Sequence, residues 1–170
     1  MKKYLKIIIG LTLVSIIAYL GYSISTKINH KKEVVERIQN LPEFSFKTIS
    51  GEQFTQNEIS ITLPKLFIYF NSDCDFCHAE AKQIQEHIKQ LKKMQIIMVS
   101  HENSEGIKAF AEKYNLINEK RIIFLEDEKL EFSEIFDANS IPFMLLYSKG
   151  NQLIQKFKGA TKVENIINLL

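Results

Sequence analysis

Two cysteines three residues apart, Cys74 and Cys77, are the only cysteines among 170 residues, and they stand where an apolar run gives way to a helical pattern. Leu66-Phe67-Ile68-Tyr69-Phe70 has the length and unbroken apolar character of a strand covered on both faces. After the pair, Cys77, Ala81, Ile84, Ile88 and Leu91 recur at helical spacing and draw one apolar stripe among polar residues. The pair therefore occupies a strand-to-helix corner. A cysteine in the first helical turn meets the positive end of the helix dipole and unpaired backbone N–H groups, which favour its thiolate. A partner one turn on is close enough to close a small disulfide ring. The stripe turns Cys77 toward the core and leaves Cys74 as the exposed member, the one placed to attack a substrate disulfide, with Cys77 placed to resolve the mixed disulfide.

Other chemistries of cysteine fit less well. Two small buried apolar side chains would not need this spacing, with no other cysteine in the chain. A zinc site needs four ligands, and His30, His87 and His101 are isolated in sequence, so no metal site is expected. Cys74 to His78 does spell C-x-x-C-H, the attachment signature of c-type haem. Such proteins are mainly helical and need a second axial ligand, for which Met94, Met98 and Met144 are arbitrary candidates. A c-type haem electron carrier stays as an alternative, opposed by the strand that leads into the motif.

The N-terminus has a different character. Residues 7–26 carry no charge and are mostly aliphatic, about the 20 residues that cross a bilayer as a helix. Lys2, Lys3 and Lys6 precede the run, which by the positive-inside tendency leaves Met1 in the cytoplasm and the chain from about residue 27 outside it. Lys27, Lys31 and Lys32 weaken that asymmetry, and Gly21-Tyr22-Ser23 loosely fits a small-x-small cleavage site. The run is longer than a usual signal core, which favours an uncleaved single-pass anchor in the inner (cytoplasmic) membrane. No cysteine precedes Cys74, which excludes a lipoprotein anchor. A translocated domain meets an oxidising compartment such as the periplasm, where its dithiol needs its own electron source or sink.

Residues 1–26 hold three of the 22 basic residues and no acid, leaving 19 basic against 20 acidic residues and a net charge of −1 in the remainder. That balance gives no concentrated basic surface for nucleic acid. Residues 29–41 carry Val34, Ile38 and Leu41 at helical spacing and read as a helical stalk that Pro42 ends. Phe44-Ser45-Phe46 and Phe54-Thr55 flank Ser50-Gly51 as a β-hairpin. Ile96 to Val99 reads as a second strand, 105–115 as a helix with Ile107, Phe110, Ala111 and Tyr114 on one face, and Arg121 to Leu125 as a third strand. A short helix with Leu130, Ile135 and Phe136 buried follows. This alternation implies crossovers around a largely parallel sheet. Last, Pro142 opens Phe143 to Tyr147, a turn at 148–151 reverses the chain, and Leu153 to Phe157 returns as a strand ending near Gly159. Proline is tolerated at the first residue of a strand, and the Ile141-Pro142 bond is one that can be cis.

The C-x-x-C at the start of a core helix, together with Ile141-Pro142 and the strand-turn-strand after it, resembles the thioredoxin superfamily, in which an Ile-Pro with a cis bond lies opposite the cysteines. The hairpin at 42–54, the helix-and-strand insertion at 104–125 and the single N-terminal anchor look like the membrane-tethered TlpA/ResA branch of extracytoplasmic thiol-disulfide oxidoreductases, with a redoxin or AhpC-TSA-like domain. The resemblance implies an α/β thioredoxin-like fold with a central mixed sheet, divided as residues 1–26 anchor or uncleaved signal, 27–41 stalk and 42–170 domain. It also implies an enzyme whose cofactor is only its own Cys74-Cys77 disulfide, supported by Pro142 and Ile141. Disulfide-bearing client proteins such as apocytochromes and a membrane thiol donor would be its partners. In that branch a glutamate three residues past the second cysteine contributes to the active site, and Glu80 stands there. A solvent-facing helix glutamate is the competing reading, and i,i+3 spacing puts Glu80 beside Cys77 in both.

The chain departs from the pattern in four places. No tryptophan precedes the motif, Phe76 replaces the proline often found between the cysteines, Ile68 stands where thioredoxin keeps a buried acid, and Phe143 is larger than the usual residue after the proline. Asp73 and Asp75 flank Cys74 and bear on the direction of electron flow. A carboxylate about 7 Å away in a partly solvated site disfavours the thiolate by on the order of 1 kcal/mol, which favours a reductase over an oxidant. A non-catalytic scaffold with a fixed disulfide and a thiol peroxidase, whose family shares the hairpin, are the remaining alternatives.

Overall fold

The computed structural model describes residues 2–170 and divides at Arg37 into two compact units. In the N-terminal unit, helix α1 (Lys2–Gln39) runs without a break through the expected boundary between anchor and stalk at residue 26. Neither Gly nor Pro follows Gly21 until Pro42, so nothing in the backbone ends the helix at Thr26. Ile9–Gln39 is long and apolar enough to cross a membrane, a test that a signal sequence also passes. Leu11, Val14, Ile17 and Tyr22 point outward around its circumference, all exposed. A helix apolar on every side has a composition suited to lipid rather than to one stripe of protein core.

The second unit begins at Ile38, earlier than the Pro42 expected from sequence. The reason is hydrogen bonding: the Tyr147 hydroxyl donates to the Ile38 carbonyl at 3.0 Å, and the Leu41 N–H donates to the Asn151 carbonyl at 2.8 Å. Its seven strands are β1 (Ser45–Thr48), β2 (Gln53–Thr55), β3 (Lys65–Tyr69), β4 (Gln95–Ser100), β5 (Ile122–Glu126), β6 (Phe143–Tyr147) and β7 (Leu153–Lys158). They form one sheet in the order β2-β1-β5-β4-β3-β6-β7. Only β3, β4 and β5 run parallel, so the sheet is mixed and not largely parallel. The hairpins β1-β2 and β6-β7 reverse through short turns, which can join only antiparallel strands. The other helices are α2 (Asp75–Glu86), α3 (Ser104–Lys113), α4 (Glu131–Phe136) and α5 (Val163–Ile167).

Every residue of β3 is buried, and its alternation divides the core. Leu66 and Ile68, with Phe70 beyond the strand, join Cys77, Ala81 and Ile84 of α2 and Ile107 and Phe110 of α3. Phe67 and Tyr69 meet the opposite layer, where Phe44, Phe46, Phe54, Phe132, Phe136 and Tyr147 form a chain of ring contacts, the nearest being Phe132 and Phe136 at 4.4 Å between centroids. Lys65 at the head of β3 is also fully buried. Its Nζ donates to the Ser148 carbonyl at 3.3 Å, the Lys149 carbonyl at 2.8 Å and Asn151 Oδ1 at 2.5 Å, tying down the β6-β7 turn. Burial lowers the pKa of this ammonium.

Two helices differ from the sequence reading. Helix α2 stops at Glu86 rather than continuing to Leu91, because the His87 ring and N–H both bond the Gln83 carbonyl and close the last turn. Ile88 lies in the following turn, and Leu91 is buried from a short 3-10 helix, Leu91–Lys93. In α4 the buried residues are Phe132 and Phe136, whereas Ile135 is half-buried and Leu130 is 48% exposed. The buried Asp127 carboxylate accepts the N–H groups of Glu131 at 2.8 Å and Phe132 at 3.0 Å, and this cap sets the rotation of the helix.

Phe67 touches the rings of Phe44, Phe132, Phe136 and Tyr147. Phe67→Ala should lower stability by about 3–5 kcal/mol, read as a shift of the urea unfolding midpoint.

Candidate active site

Strand β3 delivers the chain into a three-residue loop, Asn71 to Asp73, before α2 begins. Asn71 shapes that loop: its side-chain oxygen accepts the Asp73 N–H at 2.8 Å and its carbonyl accepts the Cys74 N–H at 3.3 Å. Cys74 then takes the N-cap position of α2 with extended backbone. Its sulfur accepts the Cys77 N–H at 3.4 Å, in the place that a serine or aspartate oxygen fills in most helices. The sulfur thus sits on the positive end of α2, half-buried.

Across from it, the Ile141-Pro142 peptide bond is cis. Cys74 Sγ lies 3.9 Å from the Ile141 carbonyl oxygen, so the N-cap of α2 and the entry to β6 meet at this sulfur although 67 residues separate them. The Pro142 carbonyl accepts the Gly159 N–H at 2.8 Å, and Gly159 has φ +82, a backbone conformation suited to glycine. Phe76, between the cysteines, is 67% exposed, and Ile141, whose carbonyl faces the Cys74 sulfur, is also exposed, so apolar side chains flank the open sulfur.

Cys77 is 1% exposed. Burial pushes its thiol up to about 12, reinforced by the hydrogen bond with Cys74 and by the charges of Cys74 and Glu80, while a hydrogen bond to the Asn71 backbone acts the other way. Both cysteines are free thiols. One sulfur is half-open to solution and accepts a helix-end N–H; the other is shielded and keeps its proton.

Of the two readings of Glu80, the solvent-facing one is wrong, since the residue is 1% exposed. One carboxyl oxygen accepts the Thr161 N–H at 3.0 Å and the other has no hydrogen-bond partner among the described residues. Desolvation raises its pKa to about 7, with the Thr161 N–H opposing the rise. His78 is also occupied: its Nδ1 is 2.8 Å from the Tyr114 hydroxyl and its ring stacks on Phe110 at 5.4 Å. Asp73 and Asp75 are both exposed, where solvent and salt weaken their field on Cys74. The structure therefore gathers Cys74, Cys77, Glu80, Ile141 and Pro142 in one place, with the two aspartates at the rim. Sequence reading missed the Gly159 and Thr161 amides that brace Pro142 and Glu80, because a backbone N–H has no side-chain signature.

This fold and this dithiol define a thioredoxin-like thiol-disulfide oxidoreductase. The AhpC/TSA family model matches residues 38–167, and the chain belongs to that family. It is 26% identical over 121 residues to the thioredoxin-like protein YneN of Bacillus subtilis, covering 68% of this chain and 69% of that one. Its fold is similar to that of a secreted Mycobacterium tuberculosis disulfide oxidoreductase homologous to Escherichia coli DsbE, with TM-score 0.64 and 18% identity over 79% of this chain and 96% of the other. Bacillus subtilis StoA aligns with TM-score 0.59 and 18% identity over 75% and 95%.

A carboxyl whose folded pKa is raised contributes most to stability below its ordinary value of 4.5 and loses that contribution as pH climbs through about 7. Glu80→Gln should abolish this loss, making the variant more stable than wild type by on the order of 3 kcal/mol at about pH 8, with the gap shrinking toward about pH 5, as measured by urea denaturation.

Proposed function

We propose that the protein is an extracytoplasmic reductase of protein disulfides, held at the membrane by α1 and acting through Cys74 and Cys77. The observation that carries this reading is the asymmetry of the dithiol: Cys74 is accessible, at a helix N-terminus and next to the Ile141 carbonyl, whereas Cys77 is enclosed with its pKa raised. The Cys74 thiolate attacks one sulfur of a client disulfide, forming the Cys74-client bond and releasing the other client sulfur as a thiolate that takes a proton from water. Cys77 then gives its proton to the Glu80 carboxylate and attacks Cys74 Sγ. The Cys74-Cys77 disulfide forms, the second client thiolate leaves, and two electrons have passed to the client.

A raised Glu80 pKa suits that proton transfer, because a carboxylate near 7 is a stronger base than an ordinary one. It stands in for the acid that this chain lacks at Ile68. The exposed Phe76 and Ile141 supply the surface on which a client backbone rests, and Pro142, itself buried, holds the chain next to Ile141. A membrane thiol donor would restore the dithiol, since an oxidising compartment offers no thioredoxin. Lys2, Lys3 and Lys6 ahead of the apolar run support a cytoplasmic N-terminus with the domain on the far side. The reducing direction is read from the negative charge that Asp73 and Asp75 place at the rim, small as its field is in solvent.

Cys77→Ser should accumulate mixed disulfides between Cys74 and client proteins, visible as thiol-sensitive adducts on non-reducing gels; a clean single band would remove the two-step scheme. The couple should equilibrate with glutathione at a potential nearer about −270 mV than about −120 mV, and a value at the oxidising end would make the protein an oxidant instead.

A further inference from the structure

We infer that Glu102 is a positioning residue for thiol exchange, a clamp that holds the Asn71–Asp73 loop and so sets where the Cys74 sulfur sits on the start of α2. Glu102 follows β4, the strand parallel to β3, and reaches across to the loop that β3 feeds. One of its carboxylate oxygens accepts the Ser72 N–H at 2.7 Å and the Ser100 hydroxyl at 3.0 Å, and the other accepts the Ser72 hydroxyl. Ser100, fully buried at the end of β4, also accepts the Glu102 N–H at 3.2 Å and so fixes the backbone and the side chain of Glu102 together.

Ser72 is the middle residue of the loop. Asn71 on one side bonds the Cys74 N–H and touches the Cys77 thiol through its backbone, and Asp73 on the other leads directly into Cys74. Short loops move as units when their central residue is released. Hydrogen bonds to a carboxylate are stronger than neutral ones, and two of the three here grip the same residue. The clamp acts on chemistry through position, since Cys74 Sγ must keep both the Cys77 N–H and the line of approach past Ile141.

The inference rests on Cys74 being the exposed reacting sulfur. Full-length protein in detergent, fully reduced, is treated with iodoacetamide at temperatures well below unfolding, and the modified residue and its rate constant are read by mass spectrometry. Wild type should be alkylated at Cys74; alkylation at Cys77 instead would overturn the reading of the dithiol itself, apart from the clamp. Glu102→Ala should slow Cys74 alkylation by about tenfold and Ser72→Ala by about threefold, with the double variant no slower than Glu102→Ala because the two residues form one unit. Glu102→Gln, which keeps an oxygen for the Ser72 N–H, should recover to within about twofold of wild type. Wild-type rates in Glu102→Ala, or additive losses in the double variant, would overturn the clamp, as would a Glu102→Gln rate as slow as the alanine variant. If Glu102→Ala does not fold, Ser72→Ala decides: about a threefold slower alkylation of Cys74 supports the clamp, and a wild-type rate there overturns it.

Discussion

Complete burial of β3 is the constraint from which the rest of this domain follows. A strand with no exposed face must be flanked on both sides in the sheet and covered above and below, and each requirement is met here by a different part of the chain. Strand β4 lies parallel on one side and β6 antiparallel on the other. Even-numbered Leu66 and Ile68 pack under α2 and α3, while odd-numbered Phe67 and Tyr69 enter the aromatic layer closed by the hairpin and α4. A strand held on four sides ends at a defined point, and that point is where the Asn71–Asp73 loop and Cys74 begin.

The chemistry of the site comes from unequal desolvation along one helix. Cys74, Cys77 and Glu80 follow one another at three-residue spacing on α2, yet their environments diverge within a single turn. The N-cap sulfur faces solution and accepts a backbone N–H. One turn on, Cys77 lies among apolar side chains where its charged form is disfavoured, and Glu80 beyond it keeps one backbone donor and one oxygen without a hydrogen-bond partner among the described residues. The charge of Glu80 raises the cost of charge on Cys77, so proton and electron chemistry are linked at Cys77. Around them, the Gly159 and Thr161 amides arrive from the segment after β7, bracing the cis-proline and the glutamate from one short loop.

Much of this was legible in advance, and where it was not the reasons are specific. The hairpin, β3 to β7 and α3 were readable because alternation, apolar runs and turn residues act over a few residues, and tertiary packing agreed with them. The reading of α4 failed because Asp127, outside the helix, rotates it through two backbone hydrogen bonds. The helical stripe ran past the true end of α2 because Ile88 and Leu91 keep the period although the His87 cap has already closed the helix. Glu80 could be placed next to Cys77 from spacing alone, but spacing gave no sign of its burial. Lys65 was invisible as a core residue, since a lysine is buried only when distant oxygens, here in the β6-β7 turn, meet its ammonium.

The amino-acid order alone was enough to place a dithiol at a strand-to-helix corner, to set an uncharged N-terminal run apart from the rest, and to put a proline at the head of β6. These follow from local spacing and from the residue types themselves. It took the folded chain to bring Cys74 to Ile141, Glu80 to Thr161 and Ser72 to Glu102, pairs separated by 67, 81 and 30 residues. Burial and hydrogen bonding between such distant partners are properties of packing, and a side chain's own chemistry carries no record of what will surround it.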